Sequence, residues 1–285
     1  MVIKPMIRNN LCMNAHPVGA RTQVEEYINY VKSQPTIENG PKKVLVIGSS
    51  TGYGLASRIT AAFGSGAATL GVALERPATG KRPATIGWYN TEHMQKLARE
   101  EGLVAEQIYG DAFSHELKAE TISKIKELFG TVDLVVYSLA SPVRTDPDTG
   151  EMYRSQLKPF GKPYTAKSVD AMTGNIGETT IEPAEQGDME QTVKVMGGED
   201  WKLWIKALLD AGVVEEGSYT VAYSYIGPDL TRPIYREGTI GKAKEDLEKT
   251  ADELSEQMKK AVGGDAFVSV NKALVTRSSA VIPMV

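Results

Sequence analysis

The sequence of 285 residues contains a single cysteine, Cys12, and only three histidines. One cysteine cannot form an internal disulfide, and the lack of paired cysteines removes the main sequence sign of an oxidising compartment. We therefore expect a cytoplasmic protein. We expect no metal, because Cys12 and His16 have no further ligands at metal-binding spacing and His93 and His115 stand alone in the sequence.

Long apolar runs and an excess of positive charge are also missing. No segment approaches the roughly 18 apolar residues of a membrane-spanning helix, and no apolar stretch of a secretion signal follows the first cations. The formal net charge is -4, and no cluster of lysine and arginine is interleaved with aromatic residues. Neither a membrane nor nucleic acid is therefore an expected partner. The 41% of hydrophobic and 24% of charged residues are typical of a folded globular protein.

Short apolar runs alternate with segments of helical period along most of the chain. This alternation predicts βαβ units, so the expected fold class is α/β with a doubly wound, mostly parallel, Rossmann-like sheet. The predicted strands are residues 44–47, 69–74, 104–108, 134–139, 219–226 and 266–275. The predicted helices are residues 53–63, 91–101, 114–129, 198–211 and 239–262, with Ser114 as an N-cap.

Residues 141–193 interrupt this alternation, because they are rich in Pro, Gly, Thr and Asp and show no sustained helical period. Turn-forming tetrapeptides at 147–150 and 172–175 predict short hairpins there. We expect one domain over residues 1–285, with residues 141–195 as an inserted lobe on the substrate side. A purely structural flap is the alternative for this lobe.

A glycine-rich turn follows the first predicted strand, with the sequence Gly48-Ser49-Ser50-Thr51-Gly52-Tyr53-Gly54, and a helical pattern comes after it. Glycines allow the backbone to approach a pyrophosphate, while the free N–H groups of a helix start face its charge. Glu75 stands at the end of the next strand, where an acid can bind the adenosine ribose. The arrangement predicts a dinucleotide site, and an ordinary tight turn is the alternative.

The spacing Gly48-x3-Gly52-x-Gly54 resembles the short-chain dehydrogenase form of this turn. Two later strand ends, residues 110–113 and 137–141, lie where a doubly wound sheet brings residues to the adenine and to the nicotinamide side of its crevice. Taken alone, residues 110–113 could equally be an ordinary acidic turn, and residues 137–141 could equally be an ordinary core strand.

Short-chain dehydrogenases usually carry a tyrosine and a lysine four positions apart, and no such pair follows the fourth predicted strand. Tyr235 is instead followed by Lys242 and Lys244. If all nine steps from Tyr235 to Lys244 were helical, the lysine would lie on the opposite face and about 13 Å along the axis. Tyr235 is therefore expected on a loop before the helix, with Gly238 as the break and Thr239 as the capping residue.

The Tyr-x8-Lys spacing is similar to that of the FabV family of trans-2-enoyl-CoA and enoyl-acyl-carrier-protein reductases, and the resemblance covers essentially the whole chain. The segments that carry it are Arg8, Ala15-His16-Pro17, residues 48–58, Gly87-Trp88-Tyr89-Asn90, Ala140-Ser141-Pro142-x-Arg144, residues 195–201, residues 222–227 and residues 269–276. The resemblance implies NADH-dependent reduction of the double bond of an enoyl-CoA or enoyl-acyl-carrier-protein, in fatty acid biosynthesis.

The same resemblance implies that Tyr235 is the proton donor, Tyr225 a substrate contact and Lys244 a cofactor contact. A phenol can stabilise the charge that hydride addition leaves on the thioester oxygen, and an ammonium can hold the ribose hydroxyls. Tyr219 and Tyr223 share the strand face of Tyr225 and are expected to pack in the core. The residues implied to bind the cofactor are Gly48, Ser49, Ser50, Thr51, Gly52, Tyr53, Leu74, Glu75, Asp111, Ala112, Leu139, Ala140, Lys244, Ala273, Leu274 and Val275.

Two other functions stay open: a short-chain NAD(P)-dependent carbonyl or alcohol dehydrogenase, and a non-catalytic NADH-binding protein. Glu75 predicts a preference for NADH over NADPH, although the neighbouring Arg76 could pair with a 2'-phosphate. Trp201 and Trp204 are expected to be buried and not to take part in chemistry. We expect a monomer, and we expect the family fold to continue beyond residue 285, because no helix follows the last predicted strand to cover it.

Overall fold

The computed structural model describes residues 6–8, 11–12, 14–80, 82–170, 173–272 and 274. The elements in chain order are β1 (Ile7–Arg8), β2 (Leu11–Cys12), α1 (Pro17–Ser33), β3 (Lys43–Ile47), α2 (Gly52–Ile59), β4 (Ala68–Ala73), α3 (Ile86–Glu100), β5 (Ala105–Tyr109), α4 (His115–Leu128), β6 (Val132–Tyr137), β7 (Val143–Thr145), β8 (Met152–Arg154), β9 (Tyr164–Val169), β10 (Ile176–Ile181), α5 (Asp188–Met196), α6 (Glu199–Asp210), β11 (Val214–Ser224), α7 (Arg232–Tyr235), α8 (Thr239–Val262) and β12 (Asp265–Val270). A π-helical turn, Thr60–Gly64, continues α2, and a 3-10 turn, Asp229–Thr231, precedes α7.

Six parallel strands form the central sheet in the order β12-β11-β6-β3-β4-β5. The chain builds outward from β3 to β5 and then returns to the other side of β3 as β6, so the strand order reverses between β3 and β6. A crevice forms at the carboxyl ends of the strands at such a reversal. The predicted doubly wound parallel fold is confirmed.

Helices cover both faces of the sheet, and the alternation along β3 explains why. Val44 and Val46 pack in one cluster with Ala61 of the π-helical turn, whereas Leu45 and Ile47 pack in another with residues of α4, α6 and α8. Since all four strand side chains have no exposed surface, neither face can be left to solvent. A parallel strand that is apolar on both faces requires a helical layer on each side.

Several predicted bounds agree with the structure, and two helices longer than one turn were missed. Helix α8 begins and ends at the predicted residues, and the Ser114 side chain caps α4 by accepting a hydrogen bond from the amide of Leu117. The missed helices are α1 and α5. Both bury few side chains, since α1 buries only three over 17 residues and α5 only two over nine, one of which is a threonine. So few buried positions give little apolar signal in the sequence.

The segment predicted to contain hairpins does contain two, β7 with β8 and β9 with β10, both antiparallel. Arg144 of β7 connects this lobe to the main body. It is 2% exposed, and its Nη1 donates to the carbonyl of Lys194 at 2.6 Å and to Oε2 of Glu199 at 2.6 Å. The lobe also contains α5, so it is less irregular than the sequence indicated.

The first helix is capped by a residue that could have been taken for a metal ligand. Nδ1 of His16 accepts a hydrogen bond from the amide of Gly19 at 3.1 Å, so this side chain caps α1. Within the ranges described above, no three His, Cys, Asp or Glu side chains are grouped as metal ligands. In the same ranges, no helix has the length and apolar character needed to cross a membrane.

Helix α6 carries the two buried tryptophans. Trp201 and Trp204 have no exposed surface, which confirms their predicted burial. The indole of Trp201 donates to Oγ1 of Thr220 at 2.9 Å, and the indole of Trp204 donates to the carbonyl of Ala112 at 3.0 Å. The two tryptophans therefore attach α6 to β11 and to the segment after β5, which lies at the crevice edge of the sheet.

A buried ion pair sits beside these tryptophans. Nζ of Lys118 lies 2.8 Å from Oδ1 of Asp200, and the hydroxyl of Tyr137 donates to Oδ2 of the same carboxylate at 2.9 Å. Burial lowers the pKa of Lys118 and raises the pKa of Asp200, and the attraction between the two charges opposes both shifts. The pair links α4, α6 and β6 beneath the crevice.

Replacing Lys118 by methionine is expected to lower the free energy of unfolding by about 3 to 5 kcal/mol, because Asp200 would be left buried without its partner. Denaturant unfolding followed by circular dichroism measures this change. The matched control is Lys124→Met, which removes an exposed pair with Glu127 and should change stability by about 0.5 kcal/mol or less. Equal effects of the two substitutions would contradict the structural role of the buried pair.

Candidate active site

The glycine-rich turn between β3 and α2 is packed too closely for side chains at two of its positions. A Cβ at Gly48, where φ is +87°, would lie 2.2 Å from the carbonyl oxygen of Ser138, and a Cβ at Gly54 would lie 2.0 Å from that of Gly48. Thr51 does not cap α2 with its side chain. The amides of the first helical turn are therefore available to an anion such as a pyrophosphate.

The acid predicted at the next strand end lies beside this turn. Oε1 of Glu75 accepts a hydrogen bond from Oγ of Ser50 at 2.6 Å, and Glu75 is half-buried. Leu74 at the same strand end is 75% exposed. A carboxylate next to the phosphate-binding turn is placed as required to accept hydrogen bonds from an adenosine ribose.

The two other predicted strand ends lie at the same edge of the sheet. After β5, Asp111 is exposed and its Oδ1 accepts from the amide of Phe113 at 3.0 Å, while Ala112 is buried. After β6, Leu139 and Ala140 line a cavity of about 550 Å³. The predicted adenine and nicotinamide sides of the crevice are therefore formed by different strands, one on each side of β3.

The cavity brings together many of the residues that the sequence singled out, from positions far apart in the chain. Those that line it are Tyr53, Leu139, Ala140, Tyr225, Tyr235 and Lys244. The apolar part of the lining comes from the lobe, from the end of α5 and from the start of α8, with Pro142, Leu157, Met196 and Ile240. The lining thus combines a few polar groups with apolar side chains, as is usual for a small-molecule site.

Two tyrosines face each other in the cavity. The rings of Tyr225 and Tyr235 lie 4.9 Å apart between centroids at an interplanar angle of 70°. Tyr235 is 7% exposed, and burial raises the pKa of its phenol to about 12, with Tyr225 adding a smaller contribution. The phenol of Tyr235 therefore keeps its proton across the neutral range and can donate it.

Tyr235 is the last residue of the one-turn helix α7, so the predicted loop is wrong, although the predicted break before α8 is present. Gly238 and not Thr239 is the N-cap of α8. Oγ1 of Thr239 instead donates to the carbonyl of Gln156 and accepts from the amide of Lys158 at 3.2 Å. Thr239 is therefore used to attach the helix start to the lobe, which explains why it does not cap the helix.

The two candidate lysines lie on different sides of α8. Lys244 is 9% exposed and lines the cavity, whereas Lys242 is exposed and pairs with Glu245 at 2.8 Å. Burial lowers the pKa of Lys244 to about 8, against a smaller opposing effect of Glu248. Among the residues that the structure describes, the Lys244 ammonium makes no hydrogen bond and no ion pair, so this group is available to a ligand.

Sequence reasoning missed part of the cavity wall. Tyr219 and Tyr223 were both predicted to pack in the core. Tyr223 instead lines the cavity and shares a hydrogen bond of 2.5 Å with Ser57. The prediction for Tyr219 is wrong, because this side chain is 52% exposed and packs on Phe267, which is itself 48% exposed. Asn271 and Lys272, which follow β12, also line the cavity. The rule that ligands bind at the carboxyl ends of parallel strands would have identified Asn271 and Lys272, since β12 belongs to the same sheet.

The segment after β12 also closes the cavity near the glycine-rich turn. The hydroxyl of Tyr53 donates to the carbonyl of Lys272 at 2.7 Å, so the turn and the last strand end are connected. Leu274 is 52% exposed. Ala273 and Val275, the other two cofactor contacts predicted in this segment, lie outside the described residues.

The parallel sheet and the glycine-rich turn with its acid define a dinucleotide-binding protein, and one cavity at the same crevice is lined by a tyrosine and a buried lysine. Comparison with known families makes this class more specific. Residues 82–285 match the family model described as the catalytic region of trans-2-enoyl-CoA reductase, and residues 2–80 match the NAD(P)H binding domain of trans-2-enoyl-CoA reductase. The chain belongs to the trans-2-enoyl-CoA reductase family.

Individual relatives agree with this assignment. The chain is 54% identical over 285 residues to the trans-2-enoyl-CoA reductase (NADH) of Ruminiclostridium cellulolyticum, and 55% identical over 285 residues to the enoyl-acyl-carrier-protein reductase (NADH) of Opitutus terrae. Each match covers 100% of this chain and 72% of the relative. The crystal structure of Treponema denticola trans-2-enoyl-CoA reductase in complex with NAD superposes with a TM-score of 0.94 at 56% identity, covering 99% of this chain and 71% of that one.

Proposed function

We propose that this protein reduces the trans-2 double bond of enoyl thioesters with NADH, using Tyr235 as the proton donor, Lys244 as a cofactor contact and Tyr225 as a substrate contact. The observation that carries the proposal is the cavity at the crevice edge that holds Tyr225, Tyr235 and Lys244 together. The substrate is an enoyl-CoA such as crotonyl-CoA, or an enoyl-acyl-carrier-protein, and the reaction belongs to fatty acid biosynthesis.

The residues around the crevice fit a dinucleotide. At Gly48 and Gly54 of the turn, backbone atoms occupy the space that a side chain would need, and Glu75 lies next to this turn. The cofactor contacts of the proposal at this end are the turn residues 48–53, Leu74, Glu75, Asp111 and Ala112. At the other end they are Leu139, Ala140, Lys244 and residues 273–275. NADH held by these residues would supply the hydride, which adds to the β-carbon of the enoyl thioester.

The chain's own residues then manage charge and protons. Negative charge on the thioester oxygen is stabilised by a phenol whose proton is retained at neutral pH, and Tyr235 meets this condition with its pKa raised to about 12. The same phenol then donates its proton to the α-carbon, and the phenolate that remains takes up a proton from water. Tyr225 packs edge-to-face on the Tyr235 ring, which restricts the direction in which the Tyr235 hydroxyl can point. The apolar cavity residues Leu157 and Met196 keep water away from the acyl chain.

The lobe of residues 141–195 contributes to this site, and we assign it to the substrate side of a single domain that spans residues 1–285. Four cavity residues belong to it, namely Ser141, Pro142, Ser155 and Leu157. The attachment of Lys158 and Gln156 to the start of α8 holds the lobe against the catalytic segment. The proposal also includes a monomer, and a cytoplasmic location on the basis of the single cysteine.

The function is tested by following NADH oxidation by absorbance with three acceptors: crotonyl-CoA, a simple ketone and a simple aldehyde. Crotonyl-CoA is expected to support turnover, and the ketone and the aldehyde are expected to support none. Turnover of the carbonyl compounds alone would favour the dehydrogenase alternative. NADH binding without oxidation by either class would favour a non-catalytic protein. Comparing crotonyl-CoA with a crotonyl-acyl-carrier-protein of known concentration then identifies the preferred carrier.

The preference between nucleotides is a separate prediction. The value of kcat/KM with NADH is expected to exceed that with NADPH by about tenfold or more, since the Glu75 carboxylate would repel a 2'-phosphate. Steady-state kinetics with crotonyl-CoA held constant measures the ratio. A higher value with NADPH would contradict the prediction and point to Arg76, whose Nη1 is buried and makes no hydrogen bond among the described residues.

A further inference from the structure

The start of α3 is packed directly against the acid that is proposed to recognise the ribose. An ideal Cβ built on Gly87 would lie 1.9 Å from Oε1 and 2.4 Å from Cδ of Glu75, and 2.8 Å from Cβ of Ser50. No side chain can occupy that space while the carboxylate remains where it is. The position of Glu75 therefore depends on the absence of a side chain at residue 87.

A second residue of α3 contacts Ser50, whose side chain is hydrogen-bonded to the Glu75 carboxylate. Asn90, one turn after Gly87, is 4% exposed, and its Nδ2 donates to the carbonyl of Ser50 at 3.1 Å. Ser50 is 8% exposed, and its Oγ donates to Oε1 of Glu75 at 2.6 Å. Asn90 thus holds the backbone of the residue whose hydroxyl orients the carboxylate.

We propose that Gly87 is a position that determines nucleotide specificity in this enzyme, and that Asn90 is a positioning residue acting through Ser50. Together they fix the Glu75 carboxylate beside the glycine-rich turn, where it accepts hydrogen bonds from an unmodified ribose and opposes a 2'-phosphate. This inference rests on the proposed function, in which Glu75 recognises the adenosine ribose. It also gives a role to the first and last residues of the segment Gly87-Trp88-Tyr89-Asn90, which the mechanism leaves unused.

The geometry indicates that alanine at position 87 would displace the acid and leave the fold intact. Gly87 lies within α3 and does not have a positive φ, so alanine is compatible with its backbone. The two closest atoms belong to the far end of the Glu75 side chain, which can rotate away, and the third is Cβ of Ser50 at 2.8 Å, so the glycine-rich turn must also shift slightly. The Glu75 carboxylate would keep its charge but move away from the turn. The variant therefore tests the position of the carboxylate separately from its charge, whereas Glu75→Ala removes both.

The experiment measures kcat/KM for NADH and for NADPH with crotonyl-CoA in wild type, Gly87→Ala and a matched control. For Gly87→Ala we expect kcat/KM with NADH to fall about tenfold, which is the loss of roughly one hydrogen bond to a charged group. The value with NADPH should stay constant or rise, and kcat at saturating NADH should change little. The control is Gly177→Ala, because Gly177 lies in β10 of the lobe with no atom within 4 Å of its Cβ position, and its ratio should match wild type.

Asn90→Ala is the second variant, and it decides the matter if Gly87→Ala does not fold. It should narrow the NADH to NADPH ratio by raising the KM for NADH while kcat stays constant. An equal loss with both nucleotides in either variant would indicate general damage to the turn and overturn the inference. An unchanged ratio in a folded Gly87→Ala, or in Asn90→Ala where Gly87→Ala does not fold, would also overturn it.

Glu75→Ala separates this inference from the function on which it rests. If Glu75→Ala leaves the ratio unchanged, the proposed role of Glu75 is wrong. If Glu75→Ala narrows the ratio and Gly87→Ala leaves it at the wild-type value, Glu75 keeps its role and only the inference about α3 fails. Thermal unfolding of each variant without nucleotide checks that all of them are folded at the assay temperature.

Discussion

Phenylalanine at position 235 is expected to leave the Kd for NADH within about twofold of wild type and to lower kcat by about 10²- to 10³-fold. The substitution removes one hydroxyl from the cavity and keeps the ring that packs on Tyr225. The magnitude is that of one hydrogen-bond donor to a developing oxyanion, since the hydroxyl is needed only when negative charge forms on the thioester oxygen. Fluorescence titration with NADH and steady-state kinetics with crotonyl-CoA measure the two quantities.

Two other tyrosines provide matched controls for this prediction. Tyr219→Phe removes a hydroxyl from a half-exposed side chain outside the cavity and should leave kcat unchanged. Tyr225→Phe removes a hydroxyl inside the cavity and should act mainly on the KM for the enoyl substrate. Near wild-type kcat in Tyr235→Phe would show that another group donates the proton, and a large loss of kcat in Tyr225→Phe would then identify Tyr225 as that group.

Local patterns were sufficient to predict the sheet and α8, and their failures have a common cause. The run of apolar residues in β3 is buried on both faces, so a short stretch of sequence carries the whole signal. Helix α1 instead buries a single line of Ala20, Val24 and Ile28, and α5 is a nine-residue helix among turn-forming residues. Both helices are stabilised by tertiary packing on their neighbours, which a window of sequence does not contain.

The site shows the same division between local and tertiary information. The turn at Gly48 and the acid at Glu75 follow from strand order alone, because the carboxyl ends of parallel strands meet at one edge. The part of the cavity wall formed by Leu157 and Met196 does not follow from strand order, because it depends on how the lobe folds back on α8. The hydrogen bonds of Thr239 to the lobe hold it there, and in the sequence Thr239 has the pattern of an ordinary helix cap.

The ionisation of the two catalytic candidates restricts the pH range in which they can cooperate. Burial acts on both groups in the direction that disfavours charge, raising the pKa of Tyr235 to about 12 and lowering the pKa of Lys244 to about 8. Below about pH 8 the lysine is charged while the phenol is neutral, which is the state needed for a cofactor contact and a proton donor. Above that pH the phenol is unchanged and the lysine loses its proton.

Lys244→Ala is expected to raise the Kd for NADH about tenfold and to lower kcat as well, whereas Lys242→Ala should change both by less than about twofold. Lys244 lines the cavity, and Lys242 pairs with Glu245 at the surface. Two helical steps rotate by about 200°, so the two side chains cannot both reach the cofactor. NADH titrations and crotonyl-CoA kinetics of the two variants measure the difference, and a larger effect of Lys242→Ala would show that the assignment is wrong.

The pH dependence of NADH binding tests whether the charge of Lys244 is what matters. In wild type the affinity should be constant below about pH 7 and fall as the pH rises through the pKa of about 8, because the free enzyme then loses the ammonium that is proposed to bind the ribose. Lys244→Ala should bind weakly at every pH, without this fall. Lys244→Arg should also show no fall near pH 8, since a guanidinium stays charged there, and Lys242→Ala should follow wild type. A fall near pH 8 that persists in Lys244→Ala would assign the titration to another group and remove Lys244 from the cofactor contacts.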